Sequence, residues 1–166
     1  MFPVEPIVPG PGQESVWDYP RPPRVEPTRE QIVIRFDGKV ICKTKRAVRV
    51  LETSHPPVYY LPVEDFRRKV LVAAKAFSEC EWKGRAYYFD IRYREGVVAE
   101  KAAWGYSDPL PGFELLRGRL AVYAGAMEQV TVDGEIVEPQ PGSFYGGWIT
   151  SRIVGPFKGV PGSMGW

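Results

Sequence analysis

An all-β domain is the fold this sequence predicts, and three observations carry that expectation. Glycine and proline number 17 each, which cuts the chain into short runs better suited to strands and turns than to long helices. Several of those runs alternate apolar and polar residues with period two, the pattern of a half-buried strand. Two Asp-Gly steps, Asp37-Gly38 and Asp133-Gly134, fall between such runs, where a tight hairpin turn is required. Aromatics make up 13% of the chain and must supply much of the core, since each buries about 150–250 Å². With 166 residues the expected organisation is a single domain. It comprises an extended N-terminal arm over residues 1–28, a core β domain over 29–138, and a Gly/Pro/aromatic C-terminal wrap over 139–166.

The arm carries eight prolines and little apolar periodicity, so an extended path is expected for it. Trp17 and Tyr19 either pin it to the body or close over a pocket. From Gln31, Ile32, Ile34 and Phe36 alternate with Val33, Arg35 and Asp37, and the chain returns through Val40–Thr44. Ala47–Leu51 makes a third strand. Lys43, Lys45, Arg46 and Arg49 gather here and read as a solvated face or an anion-steering edge. Pro62, Glu64 and Asp65 suit a first helical turn, with Val63, Phe66 and Val70 on one face, which predicts one short helix. Val70-Leu71-Val72 reads equally well as strand. Ala86–Tyr93 is the most strand-like run, turned back at Glu95-Gly96 through Val97–Ala99 to Ala102–Tyr106. Asp108–Gly112 is a loop, and Phe113–Leu116 at most a helical turn. Leu120–Tyr123, Gln129–Val132 and Glu135–Val137 close the core, and the resemblance of the two Asp-Gly hairpins hints at two similar sheets. The tail holds Phe144, Tyr145, Trp148, Phe157 and Trp166, too aromatic for an ordinary linker, and is expected to wrap the body or a partner subunit.

Composition excludes some partners. A formal net charge of +2 gives no ground for a nucleic-acid or anionic-membrane partner. No apolar run approaches the roughly 20 residues that cross a bilayer. Met1-Phe2-Pro3-Val4-Glu5-Pro6 has neither a basic nor an apolar leader region, and the expected location is cytoplasmic. There the two cysteines, Cys42 and Cys80, are expected as free thiols rather than a disulfide.

The segment richest in chemistry is Glu52-Thr53-Ser54-His55-Pro56-Pro57-Val58-Tyr59-Tyr60, which contains the single histidine. Its Pro-Pro step fixes φ and forces the residue before each proline into an extended shape. So rigid a stretch is either the wall of a site or a structural corner.

Val50–Pro57, Cys80-Glu81-Trp82-Lys83-Gly84, Ala102–Tyr106 and Val132–Glu135 occur in the order and rough spacing of one bacterial family. Over about residues 30–138 the chain resembles the domain of unknown function 427 family, which is sometimes filed as nucleotidyltransferase-like. The tail segments Phe144–Thr150 and Gly155–Gly159 look like those of its longer members. The resemblance implies a compact all-β domain of the β-tent kind, two packed antiparallel sheets. Many members have a proline inside the Cys-x-Trp-Lys-Gly motif and a histidine shortly before it. Here Glu81 takes the first position and a second histidine does not exist, so a two-histidine mechanism has no second member.

The residues themselves sort the chemistry. A structural zinc site needs four Cys or His ligands, whereas Cys42, Cys80 and His55 are the whole inventory and lack paired spacing; no metal and no cofactor are expected. A nucleotidyltransferase needs carboxylates for Mg²⁺ and a cradle for the phosphates. The chain has neither an Asp-x-Asp nor a phosphate-binding Gly-rich loop, so the filing name finds no support. Ser54 and His55 are neighbours, which in extended chain point to opposite faces, against a serine nucleophile. What remains is a recognition pocket. Tyr59, Tyr60, Trp82, Tyr87, Trp104 and Tyr106 can stack on a planar ligand and offer O–H or N–H donors. Lys83 and Arg85 can meet an anionic group, and Glu52 a polar or cationic one. The plainer reading is that these aromatics fill the core and that Glu52 and Lys83 form an ordinary ion pair. The leading functional expectation is a domain binding a small planar or anionic metabolite. Two alternatives stay open: an enzyme with His55 as general acid-base and Glu52 beside it, and a protein-interaction module. For the enzyme, His55 is the one side chain expected to titrate between pH 5 and 8. The sequence leaves self-association open.

Overall fold

A computed structural model describes residues 4–166. Met1, Phe2 and Pro3, part of the stretch read above as lacking an export leader, lie outside them. The strands are β1 (Glu14–Ser15), β2 (Arg24–Pro27), β3 (Ile32–Phe36), β4 (Lys39–Thr44), β5 (Val48–Leu51), β6 (Val58–Pro62), β7 (Leu71–Cys80) and β8 (Gly84–Arg92). They continue as β9 (Val98–Gly105), β10 (Arg119–Val122), β11 (Gln129–Val132), β12 (Glu135–Ile136), β13 (Glu138–Pro139), β14 (Trp148–Ile149) and β15 (Ile153–Val154). The fold is mainly β, as predicted. A seven-stranded antiparallel sheet runs in the order β2-β5-β6-β10-β9-β8-β7, and a four-stranded one in the order β12-β11-β3-β4. No helix of the described residues is long and apolar enough to cross a membrane.

Both Asp-Gly steps are tight turns. Asp37 and Gly38 have φ of 51° and 76°, and Asp133 and Gly134 have 48° and 83°, the doubly left-handed pair that matches the twist of a two-residue hairpin. The two hairpins do not build two sheets. β11 pairs with β3, Val130 opposite Ile34, so both lie side by side in the four-stranded sheet. Its inner face, Ile32, Ile34, Phe36, Ile41, Val130 and Val132, packs against Tyr59, Leu61, Ile91, Leu120 and Val122 of the larger sheet. The opposite face of the larger sheet has a second cluster around Tyr60, Trp104, Tyr106, Phe113 and Leu116. Period two in β6 divides these faces: Tyr59 and Leu61 go to the first, Val58 and Tyr60 to the second.

The predicted short helix is replaced by a single 3-10 turn, Val63–Asp65, followed by Phe66 in extended conformation. Two features stop the helix. Phe66 bridges Cys42 of β4, and Lys69 takes φ 70°, which no helix continues through. Val70 is buried in the main core, and the chain enters β7. The Ala-Ala-Lys-Ala run from Ala73 to Ala76 is held extended because β8 pairs on both sides of it, with Leu71–Ala73 and with Phe77–Cys80, the register shifting between them.

Arm and tail are held to the body and to each other. β2 pairs with β5 over four residues, and β1 pairs in parallel with β15 of the tail. Trp17 Nε1 donates to Pro156 O at 2.9 Å, and its ring lies 5.6 Å from that of Trp166. Tyr19 donates to Glu14 at 2.7 Å. Trp148 carries the tail into the core, where it is 1% exposed, stacks on Tyr59 at 5.0 Å and donates to Val122 O. The cationic group does not form one solvated edge. Arg49 is 12% exposed and ion-paired with Glu14 and Glu26, fastening the arm, while Arg46 meets Asp65 at 2.9 Å.

Replacing Gly38 or Gly134 by Val forces a β-branched residue into the left-handed region. Each change should destabilise the protein by more than about 1 kcal/mol, read as a lowered urea midpoint with unchanged slope. Unchanged midpoints in both variants would contradict the turn geometry.

Candidate functional site

A cleft of about 210 Å³ opens on the second face of the larger sheet. Its polar groups come from turns at opposite ends of the strands. The connection from β5 to β6 supplies Glu52 and His55, the connection from β7 to β8 supplies Lys83, the strands supply Tyr60, Tyr88 and Trp104, and Tyr106 follows directly after β9. The tail completes it with Gln140, Phe144, Tyr145 and Gly146.

The first turn is built to bring its two functional side chains together. His55 N–H donates to Glu52 O at 3.0 Å, and Ser54 between them takes φ 71°. This reverses the chain and sets His55 Nε2 3.7 Å from Glu52 Oε2. Ser54 is fully buried beneath the turn, and its hydroxyl finds no partner. The arm holds the turn from one side: Ser54 N–H donates to Val16 O and Thr53 N–H to Pro20 O, and Thr53 Oγ1 donates to Tyr19 O at 2.6 Å. The tail holds the other: Lys158 N–H donates to Ser54 O and Trp148 N–H to Pro57 O, each at 2.9 Å.

Gln140 fixes the state of His55. Its Oε1 accepts from Gly147 N–H at 3.0 Å, so its other terminal atom is the amide nitrogen. That nitrogen donates to Lys158 O at 2.9 Å and contacts His55 Nδ1 at 3.1 Å. Nδ1 therefore accepts, and in the neutral ring the proton sits on Nε2, beside Glu52. Burial, with Lys158, Arg21 and Lys83 nearby, lowers the His55 pKa to about 4. These effects outweigh the carboxylate at 3.7 Å, which is itself engaged by Arg21 at 3.4 Å. The expectation of titration between pH 5 and 8 gives way to a His55 pKa pushed down by burial to about 4, which favours the neutral ring with its proton on Nε2 in that range.

The walls are aromatic. Trp104 packs against Tyr123 at 4.4 Å, and Tyr60 lies edge-on to Trp104 and tilted to Tyr106. Burial raises the Tyr60 and Tyr106 hydroxyls well above their usual range and Tyr123 to about 12, so all three remain donors; Tyr123 donates to Phe144 O at 3.0 Å. Lys83 Nζ stands 5.9 Å from the Tyr106 ring centroid and 3.7 Å from Cys80 Sγ. Gly146 lies so close to the Trp104 indole that any Cβ there would overlap the ring. Among the described residues no group of three His, Cys, Asp or Glu side chains could hold a metal ion.

Of the residues singled out in the sequence, Glu52, His55, Tyr60, Lys83, Trp104 and Tyr106 line this cleft. Tyr59 does not: it faces the main core, with its hydroxyl on Glu30 at 3.0 Å. Tyr87 is directed away, 41% exposed opposite Phe77 on the outer surface. Trp82 packs against the second cluster without lining the cleft. Glu52 pairs with Arg21, not Lys83, and Arg85 bonds Glu79 at 2.7 Å. Sequence reasoning missed Ser78, Tyr88, Tyr123 and the four tail residues. Period two could have found Tyr88, since Ala86 and Tyr88 share the inner face; no local signal marks Gln140.

The domain is thus a β fold of two principal antiparallel sheets with two short two-stranded pairings, β1-β15 and β13-β14, and an aromatic cleft closed by its own tail. The profile of the family described as Domain of unknown function (DUF427), filed under the name NTP_transf_9, matches residues 24–133. The chain belongs to that family. No curated protein matches it.

The His55 pKa gives stability a defined pH dependence. Its folded value, about 4, lies below the unfolded value near 6.5, so between the two the unfolded chain binds more protons. Stability contributed by the neutral ring is present above about pH 6.5 and is lost as pH falls toward 4, by roughly 3 kcal/mol in all. His55→Asn should remove this part of the acid limb when unfolding free energies are compared at pH 4.5 and 7. A histidine resonance titrating near 6.5 in the folded protein would refute the assignment.

Proposed function

We propose that this domain binds a small planar molecule in the cleft, its ring packed against Trp104, Tyr60 and Tyr106 and an acceptor or anionic substituent directed at Lys83. The observation that carries the reading is the contact of the Gln140 amide nitrogen with His55 Nδ1 at 3.1 Å. A general base needs a free lone pair, and here Nδ1 is occupied by Gln140 while Nε2 carries the proton. With its pKa near 4, the ring at neutral pH donates a hydrogen bond but does not accept a proton, which favours binding over acid-base catalysis. The lining also suits binding: aromatic faces with a few polar groups that converge from two ends. Its volume, below the roughly 300–1,000 Å³ of drug-sized sites, fits a ligand of one or two rings.

Indole and indole-3-carboxylate test the reading on the full chain, by saturation-transfer NMR and calorimetry. Both should bind the wild type, the carboxylate more tightly. Trp104→Ala should weaken both by about five- to 150-fold, since stacking and burial of one ring contribute about 1–3 kcal/mol. Lys83→Met should abolish the preference for the carboxylate. Absence of binding by either compound to the wild type would reject the proposal.

A further inference from the structure

Resting on that reading, we infer that the cleft selects ligands whose ring edge carries an N–H beside a C=O, the cis-amide edge of a lactam or an oxo-heterocycle, with the N–H on Glu52 and the C=O on His55. Two groups at one end of the cleft have fixed and opposite hydrogen-bonding roles. Glu52 offers a carboxylate acceptor. His55 offers an Nε2–H donor, and its role cannot reverse by tautomerisation, because Gln140 is itself locked by Gly147 and Lys158 and presents an N–H to Nδ1.

The spacing fits. Glu52 Oε2 and His55 Nε2 are 3.7 Å apart, too far to satisfy one another as a hydrogen bond. In a cis-amide edge the nitrogen and oxygen are about 2.3 Å apart, from the lengths of the C=O and C–N bonds. With two hydrogen bonds of about 2.9 Å, joining that edge to the pair requires each bond to splay by only roughly 15°.

Charge excludes the competing groups. A carboxylate at this end would face the Glu52 carboxylate. A guanidinium or ammonium would suit Glu52 but would meet the His55 N–H and a carboxylate already engaged by Arg21 at 3.4 Å. Lys158 also lies close by, its ammonium 5.8 Å from the Tyr145 ring that packs edge-on to His55. A neutral edge with one donor and one acceptor satisfies both groups and adds no net charge. Removing its donor deletes a hydrogen bond to the part-buried Glu52 carboxylate, and bonds to a charged acceptor contribute more than neutral ones. An anionic substituent, where the ligand has one, belongs at the other end with Lys83.

The test uses the full chain and three probes that share one ring system: 2-quinolone, 1-methyl-2-quinolone and quinoline, measured by calorimetry with saturation-transfer NMR for weak binding. We expect 2-quinolone to bind at least tenfold more tightly than either of the others, a comparison that requires no variant. Glu52→Leu should weaken 2-quinolone at least tenfold, and combining this change with methylation should cost little more than either alone, because both delete the same hydrogen bond. Equal affinities for all three quinolines would overturn the edge assignment while leaving a planar-ligand cleft intact. No binding of the quinolines where the indoles bind would also overturn it. Failure of quinolines and indoles together would remove the binding reading on which it rests.

Discussion

The reversal of the chain from Glu52 to Pro57 is the constraint on which the rest of this structure depends. A turn with a non-glycine residue at φ 71° is unfavourable in isolation, on the order of 1 kcal/mol or more. It persists because its backbone groups are bonded from outside: Val16 and Pro20 of the arm accept from it, and Lys158 of the tail donates to it. The buried Ser54 beneath it is enclosed by arm, tail and body at once. Remove either terminal segment, and buried amide or carbonyl groups lose their partners, each at a cost comparable to a hydrogen bond. Arm, turn and tail form one cooperative unit, fastened further by the parallel pairing of β1 with β15 and by Trp17 between Pro156 and Trp166.

What the sequence made legible was whatever short-range pattern decides. Ile32, Ile34 and Phe36 alternate because one face of β3 is core, and Asp-Gly pairs specify their turns by backbone sterics alone. The helix expected after Pro62 failed because long-range pairing overrode local preference: Phe66 is held against Cys42, and β8 captures the Ala-rich stretch as an edge strand. The same limit governs the site. Tyr59 and Tyr60 are chemically alike and adjacent, yet period two sends one to the core and the other to the cleft. Nothing local says which. Gln140 lies 85 positions from the histidine it locks, a relation only the fold creates.

Burial has two consequences at the histidine that work in the same direction. Desolvation disfavours the charged ring, and the Gln140 amide leaves Nδ1 only an acceptor role. An isolated histidine on a surface exchanges protons and tautomers freely; here it becomes a fixed dipole with a single outward N–H. Tyr145 adds to the burial of the ring, packing edge-on to it at 5.0 Å.

The cleft is shared between the segment that matches the family and chain beyond it. Residues 24–133 match the DUF427 profile and contain Glu52, His55, Tyr60, Lys83, Trp104 and Tyr106. Gln140, Phe144, Tyr145 and Gly146, which lock the histidine and form the facing wall, come from outside that match. Gly146 is accommodated against Trp104 only because it lacks a Cβ, so the tail's path is matched to the aromatic floor and not simply laid across it. The strands fix where the aromatic and charged groups stand. The tail, through Gln140, fixes which ring nitrogen of His55 accepts and therefore where the proton of the neutral ring sits.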